Sequence, residues 1–191
     1  AAVMTGIPVI VTGGIHLDGF ADTVDALRSY GDREKKLEIL KDPNTGAFAV
    51  IGLCMYFLAA FALWSEAPES SLPVIACTYV LSRSLSGISV VTFRAAKNSG
   101  LLRTFQDGAH KRRVRFVLIL WAGACTILMM FLSWQQGLAA AAAALAVFFY
   151  YYRMSRKQFG GTTGDLAGYF LQVCELVMAA AVILVGRLMG S

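Results

Sequence analysis

Charge is what this sequence has least of. Only 15% of its 191 residues are Asp, Glu, Lys or Arg, whereas an ordinary soluble domain carries about 25%. Hydrophobic residues make up 57% and mean hydropathy is +0.61, which points to lipid as the solvent. Paired cysteines are missing as well. Cys54, Cys77, Cys125 and Cys174 stand singly inside apolar runs, with no CxxC and no His at metal-ligand spacing. This gives no evidence for a disulfide framework or a zinc site and predicts small buried hydrophobes. A charged n-region followed by a cleavage site is also absent, so no signal peptide is recognisable. The chain opens with Ala1 rather than Met, and AAVMTGIPVIV reads as the end of an apolar segment already under way. The natural N-terminus is therefore expected upstream.

What is present is a series of long apolar runs. A helix needs about 20 mostly apolar residues to cross the hydrocarbon core. Five candidates are Gly46–Trp64, Leu72–Val91 with Arg83 inside, Phe116–Trp134, a shorter Leu138–Tyr152 ending in FFYYY, and Leu166–Leu188 with Glu175 in its middle. Residues 1–11 read as the end of a further span. Within a bilayer every backbone polar group must be satisfied internally. The predicted fold is therefore an all-α, polytopic integral membrane helix bundle forming one domain over residues 1–191.

The loops fix its orientation. Of 17 Lys and Arg residues, five lie in residues 13–45 (Arg28, Arg33, Lys35, Lys36, Lys41) and seven in 92–115 (Arg94, Lys97, Arg103, Lys111, Arg112, Arg113, Arg115). Three more follow the fourth run (Arg153, Arg156, Lys157). The intervening loops SEAPESS and QQG hold none. Alternation over five spans puts the three basic segments on one face, and the positive-inside rule makes that face cytoplasmic. Residues 12–45 are then a cytoplasmic segment, with 92–115 and 153–165 as cytoplasmic loops. Most of these cations serve as topology signals or meet anionic lipid. The net charge of +5 does not imply nucleic acid as a partner, because no nucleic-acid module is visible.

The chemistry gathers in TGGIHLDGFADTVDALRSYG, Thr12 to Gly31. Asp18, Asp22 and Asp25 stand at i, i+4 and i+7, an arc of about 60° on a helix. Three like charges on one stripe destabilise a helix, so a positive partner is expected. Mg²⁺ suits an all-oxygen set, taking one or two carboxylates plus waters and substrate phosphate oxygens. The alternative is a solvated acidic face, against which stand the interleaved Phe20, Ala21, Val24 and Leu27. Arg33, Lys35, Lys36 and Lys41 follow, able to meet phosphate or to be solvated loop charges. Asp42 opens a turn through Pro43-Asn44-Thr45-Gly46. His16 is a candidate for orienting a carboxylate or carrying a proton, with a structural hydrogen bond as the other reading.

A second cluster, GGTTGDLAGYFLQVCE, opens the last run. Gly160, Gly161 and Gly164 permit close backbone approach, and Thr162 and Thr163 offer hydroxyls. Asp165, Gly168, Gln172 and Glu175 recur on a stripe of about 80°, where Gly168 admits a neighbouring helix or ligand. Glu175 lies at lipid depth, where ionisable groups are costly and usually functional. Arg83 is its natural partner, either as a structural pair or in contact with substrate.

The run TGGIHLDGFADTVDALRSYGDREKKLEILKDPNTGAF resembles the signature of the cobalamin synthases (adenosylcobinamide-GDP ribazoletransferases). GGTTGDLAGYFLQVCE resembles that family's second signature, and Ser82-Arg83 and the stretch Arg94 through Leu101 are similar more weakly. The resemblance spans nearly the whole chain, departing at Ala26, where the family usually has Gly, and in the N-terminal helical segment that precedes the first signature in the family.

The resemblance implies a polytopic enzyme of the bacterial cytoplasmic (inner) membrane, with its active site facing the cytoplasm. Such an enzyme joins adenosylcobinamide-GDP to α-ribazole or its 5′-phosphate, releases GMP and uses Mg²⁺, with other corrinoid-assembly enzymes as partners. The acidic stripe is also similar to the aspartate motif of CDP-alcohol phosphotransferases. On that footing Asp18, Asp22, Asp25 and Asp165 are expected metal ligands. Asp18 and His16 are expected catalytic groups. Arg33, Lys41, Arg83, Arg94, Thr163 and Glu175 are expected to bind substrate. The competing readings are another membrane alcohol phosphotransferase and a secondary transporter using Arg83 and Glu175 as an ion relay.

Overall fold

The computed structural model describes residues 1–96 and 110–189. Its helices run in the order α1 (Ala2–Thr12), α2 (Ile15–Arg28), α3 (Arg33–Ile39), α4 (Ala47–Glu66), α5 (Leu72–Thr92), α6 (Lys111–Leu132), α7 (Trp134–Met154) and α8 (Gly164–Leu188). A 3₁₀ turn, Glu69–Ser71, leads into α5, and a π turn, Ser155–Phe159, extends α7. Among the described residues, the only bridge between extended segments is Ala95 with Thr162. Five helices are long and apolar enough to cross a membrane: α4, α5 with its 3₁₀ turn, α6, α7 with its π turn, and α8. The chain is an all-α, multi-pass membrane protein.

The boundaries follow local chemistry. Gly13 and Gly14 both take positive φ, +63° and +79°, a backbone region that costs glycine nothing. Their turn sets α2 at 94° to the apolar α1, and the bent pair together is long and apolar enough to make a sixth, broken span or a re-entrant loop. Asp32 caps α3 by accepting from the Lys35 amide at 2.9 Å. Thr163 caps α8 by accepting from the Leu166 amide at 3.2 Å. These caps satisfy amides that a helix start otherwise leaves orphaned.

Two expectations about the spans are corrected. The fourth span is not short, because α7 begins at Trp134 and, with its π turn, continues to Phe159. The QQG segment lies inside that helix, and the break from α6 is the single extended residue Ser133, φ −158°. A Cβ at Gly137 would stand 2.6 Å from the Met129 and Met130 backbone, so this glycine makes a tight helix crossing, not a loop. The 153–165 segment is accordingly helical as far as Phe159.

The bundle is layered around α5 and α8. Half of the most apolar stretch of each is buried, against 11% in α4 and α6. The peripheral helices turn Ile51, Met55, Leu58, Trp121, Ile127 and Phe131 outward, as lipid requires and water would not allow. The prediction of four buried cysteines fails at Cys54 for this reason: it is exposed on peripheral α4, whereas Cys125 and Cys174 are buried and Cys77 is partly so. Buried Ser82, Ser84, Ser86 and Ser89 line α5, small residues that let helices approach closely. Ser84 and Ser89 return their hydroxyl hydrogens to the Val80 and Ser86 carbonyls at 2.8 and 2.7 Å. At the far end, Arg187 donates to the Glu66 carbonyl at 3.1 Å and pairs with its carboxylate, clipping α8 to α4.

Candidate active site

The acidic helix α2 lies along the first turns of α8 because both helices carry glycine at the crossing. A Cβ on Gly19 would stand 2.8 Å from the Asp165 carbonyl oxygen, and one on Gly168 would stand 3.1 Å from the His16 carbonyl oxygen. Side chains at these points would push the helices apart. The crossing brings Asp165 to the carboxylates of α2. Burial pushes the Asp22 carboxyl up to about 6, and the negative charges of Asp18, Asp165 and Asp25, in that order, add to the shift. The other three expected metal ligands therefore all act on Asp22, although Asp165 lies some 140 residues away in the sequence.

The four are not equivalent. Asp18 is exposed, and Asp22 and Asp165 are half-buried. Asp25 accepts from the Gly46 amide at 2.6 Å and the Ala49 amide at 3.0 Å, so it caps α4 from a neighbouring helix. Asp165 receives the Thr163 hydroxyl at 3.3 Å, which makes Thr163 both a cap and a positioning residue for that carboxylate. Among the described residues no group of three His, Cys, Asp or Glu is set to hold a metal ion unaided. A hard cation that keeps waters and draws on substrate phosphates needs only one or two protein carboxylates. Clustered carboxylates with one raised pKa fit such a cation.

Two cations of α3 bind the turn that precedes α8. Arg33 donates from Nε to the Phe159 carbonyl at 2.8 Å, and its guanidinium lies over Gly160, where any Cβ would collide with it. Lys36 is buried and donates to Gln158 Oε1 at 2.6 Å. Together they tie α3 to the turn that leads into α8. Gly161 packs against the 94–96 backbone, with the Thr162 amide donating to the Arg94 carbonyl at 2.8 Å. The Arg94 and Lys41 side chains are exposed. Lys97 and Arg103, and most of the stretch from Arg94 to Leu101, lie outside the described residues.

Other expected site residues gather elsewhere. His16 lies roughly 160° around α2 from Asp18. Burial and the nearby Arg83 charge hold its pKa below the usual histidine value, so at neutral pH it is an uncharged imidazole. Arg83 and Glu175 form an ion pair within the spans. Ser82 donates to Glu175 Oε1 at 2.7 Å and accepts from Arg83 at 3.1 Å. The pair is satisfied inside the fold, and Arg83 also lines a cavity with Thr12 and Tyr79, so both readings of it stand. Asp42 accepts from the Asn44 amide and side chain at 2.9 and 2.7 Å, a local turn whose hydrogen bonds hold its carboxyl below the usual range.

Two contributors escape a reading of spacing alone. Gly19 sits inside the acidic stripe, where the aspartates draw attention; its placement on the α8-facing side was the available signal. Lys36 reads as one of several loop cations, and only its i, i+4 relation to buried Leu40 hints at burial. Ala26, the departure from the family pattern, is fully buried in the core.

The profile of the family described as cobalamin-5-phosphate synthase matches residues 1–183. The chain is 46% identical over 184 residues to an adenosylcobinamide-GDP ribazoletransferase of Lachnoclostridium phytofermentans, covering 96% of this chain and 70% of that protein. It is 40% identical over 179 residues to one of Clostridium botulinum strain Eklund 17B, covering 93% and 71%. It is 32% identical over 181 residues to one of Pseudomonas savastanoi, covering 93% and 72%. No solved structure matches. With a multi-pass bundle, both signatures in place and a match over nearly its whole length, the chain belongs to the cobalamin-5-phosphate synthase family.

Proposed function

We propose that this chain joins adenosylcobinamide-GDP to α-ribazole or α-ribazole 5′-phosphate, forming adenosylcobalamin or its phosphate and releasing GMP. The observation that carries the reading is the convergence of Asp18, Asp22 and Asp165, with burial and like charge lifting Asp22 to about 6. Such an arrangement is held together at a cost that a divalent cation relieves, leaving that cation free to meet a pyrophosphate. Bound there, Mg²⁺ would neutralise charge on the pyrophosphate and hold it in line for attack.

The protein's own groups do the rest. Phosphoryl transfer is mostly positioning and charge stabilisation. A ribose hydroxyl that ribazole and its 5′-phosphate both carry forms a bond through its oxygen to the cobinamide-side phosphorus as the bond to the GMP oxygen breaks. Exposed Asp18 takes the hydroxyl proton and passes it to solvent. Asp22 and Asp165 would hold the metal, and Asp25 shares their field while fixing α4 against α2. Arg33, Lys41 and Arg94 supply positive charge to the leaving phosphate. The reaction faces the cytoplasm of the inner membrane, the side marked by the basic segments. Other corrinoid-assembly enzymes are the expected partners on that side.

The test is GMP release from adenosylcobinamide-GDP plus α-ribazole by membranes carrying the chain, with Mg²⁺ or with chelator. Chelation is expected to stop turnover. Asp22→Asn is expected to cut it on the order of a hundredfold or more, the scale for removing a group that stabilises transition-state charge. Full turnover in the variant, or indifference to chelation, would overturn the assignment.

A further inference from the structure

A groove of about 790 Å³ lies between α2, α4 and α8, on a face of α2 centred roughly 140° from the aspartates. Its inner wall is aromatic: Phe20 stacks on Tyr169 with centroids 5.6 Å apart and tilts against Tyr56 at 5.5 Å. Its outer rim on α4 includes Met55, which is 62% exposed on one of the membrane-spanning helices. The groove therefore opens sideways into lipid. None of Asp18, Asp22, Asp25 and Asp165 lines it, which sets it apart from the candidate active site.

Its dimensions and charge define an occupant. Along α4 the lining runs from Phe48 to Ala59, about 16 Å at 1.5 Å per residue, or roughly half of a ~30 Å hydrocarbon core. That is the depth of one leaflet. At the Phe48 end stands Arg28, exposed and making no ion pair among the described residues. Tyr150 also lines the groove. Arg153, one turn beyond it on α7, is exposed and lies over Phe149, a second cation at the same end. We propose that this groove binds an anionic phospholipid, with its phosphate at Arg28 and one acyl chain lying along the aromatic wall.

The test uses the full chain in detergent, with phosphatidylglycerol and phosphatidylethanolamine offered in equal amounts and bound lipid read by native mass spectrometry. Phosphatidylglycerol should be retained preferentially. Arg28→Gln should lower that retention about fivefold, the scale of one basic residue at a membrane surface, and Arg28→Lys should restore most of it. Ala59→Trp, which fills the chain's path and leaves the charge intact, should reduce retention of both lipids. Excess inorganic phosphate should displace neither. Equal retention of the two lipids, retention unchanged by Arg28→Gln, or displacement by phosphate alone would overturn the site. Should Arg28→Gln lose helicity, the Arg28→Lys and Ala59→Trp comparison decides.

Discussion

Two clusters of charge in this bundle have opposite designs. At the α2–α8 crossing, carboxylates meet carboxylates, and the Asp22 proton is held up to about 6 by burial and its neighbours. Within the spans, Glu175 meets Arg83 and a Ser82 hydroxyl, and its charge is answered inside the fold. By depth alone Glu175 looks the more functional, since ionisable groups in lipid are costly. Compensation separates the two better than depth does: a satisfied pair holds helices together, and an unbalanced cluster has capacity left for a ligand.

Breaking the satisfied pair should have the largest effect on stability. Removing one partner of a fully buried ion pair costs roughly 3–5 kcal/mol. Arg83 is partly exposed, so Glu175→Gln is expected near the lower end, about 3 kcal/mol. Changing Arg83 and Glu175 together to Met and Gln should cost less than the single change. Detergent melting of the single and double variants measures this, and a double variant worse than the single would show the pair to be more than structural.

Disturbing the crossing that assembles the unbalanced cluster comes next. An alanine at Gly19 gains about 1 kcal/mol of helix propensity but meets the Asp165 backbone at 2.8 Å. Overpacking of this kind costs about 1–3 kcal/mol, so the clash wins. Gly19→Ala should lower both the melting point and GMP release. Gly123→Ala, with nothing within 4 Å of the new Cβ, should leave GMP release unchanged and raise the melting point slightly. If Gly19→Ala melted normally and turned over normally, the close crossing would not be what places Asp165.

The smallest effect is one of pH, and it sharpens the contrast by its sign. Asp22 has a folded pKa of about 6 against an ordinary 3.8, so between those values the folded state binds more protons than the unfolded one. Its contribution makes the protein less stable as pH rises through that window. In chelator the melting point should therefore carry a falling component from about pH 4 to about pH 6. That component should be absent from Asp22→Asn and flattened by Mg²⁺. A melting curve indifferent to both substitution and metal would mean the cluster has no strain for a cation to relieve.

Much of this arrangement was legible in advance. The five spans follow from apolar run length, because a bilayer permits little except helices. The helical stripe of Asp18, Asp22 and Asp25 follows from a 3.6-residue period. Pairing of Arg83 with Glu175 follows from the cost of a lone charge in lipid. The single-residue break at Ser133 and the exposure of Cys54 were not legible, since both depend on which helix lies beside which. The same holds for Asp25, whose spacing matches its neighbours but whose oxygens are engaged at the start of α4.

By itself, then, the sequence determined the class of the fold, its alternation across the membrane and the residue types available for chemistry, because hydropathy and helical period are local properties. Tertiary structure decided which carboxylates share a site, through Gly19 and Gly168 at one crossing. It turned Lys36 inward and gave Arg33 a carbonyl partner. It also set a lipid-facing groove against the back of the acidic helix. Those outcomes depend on packing between distant segments, and no period within one segment carries that information.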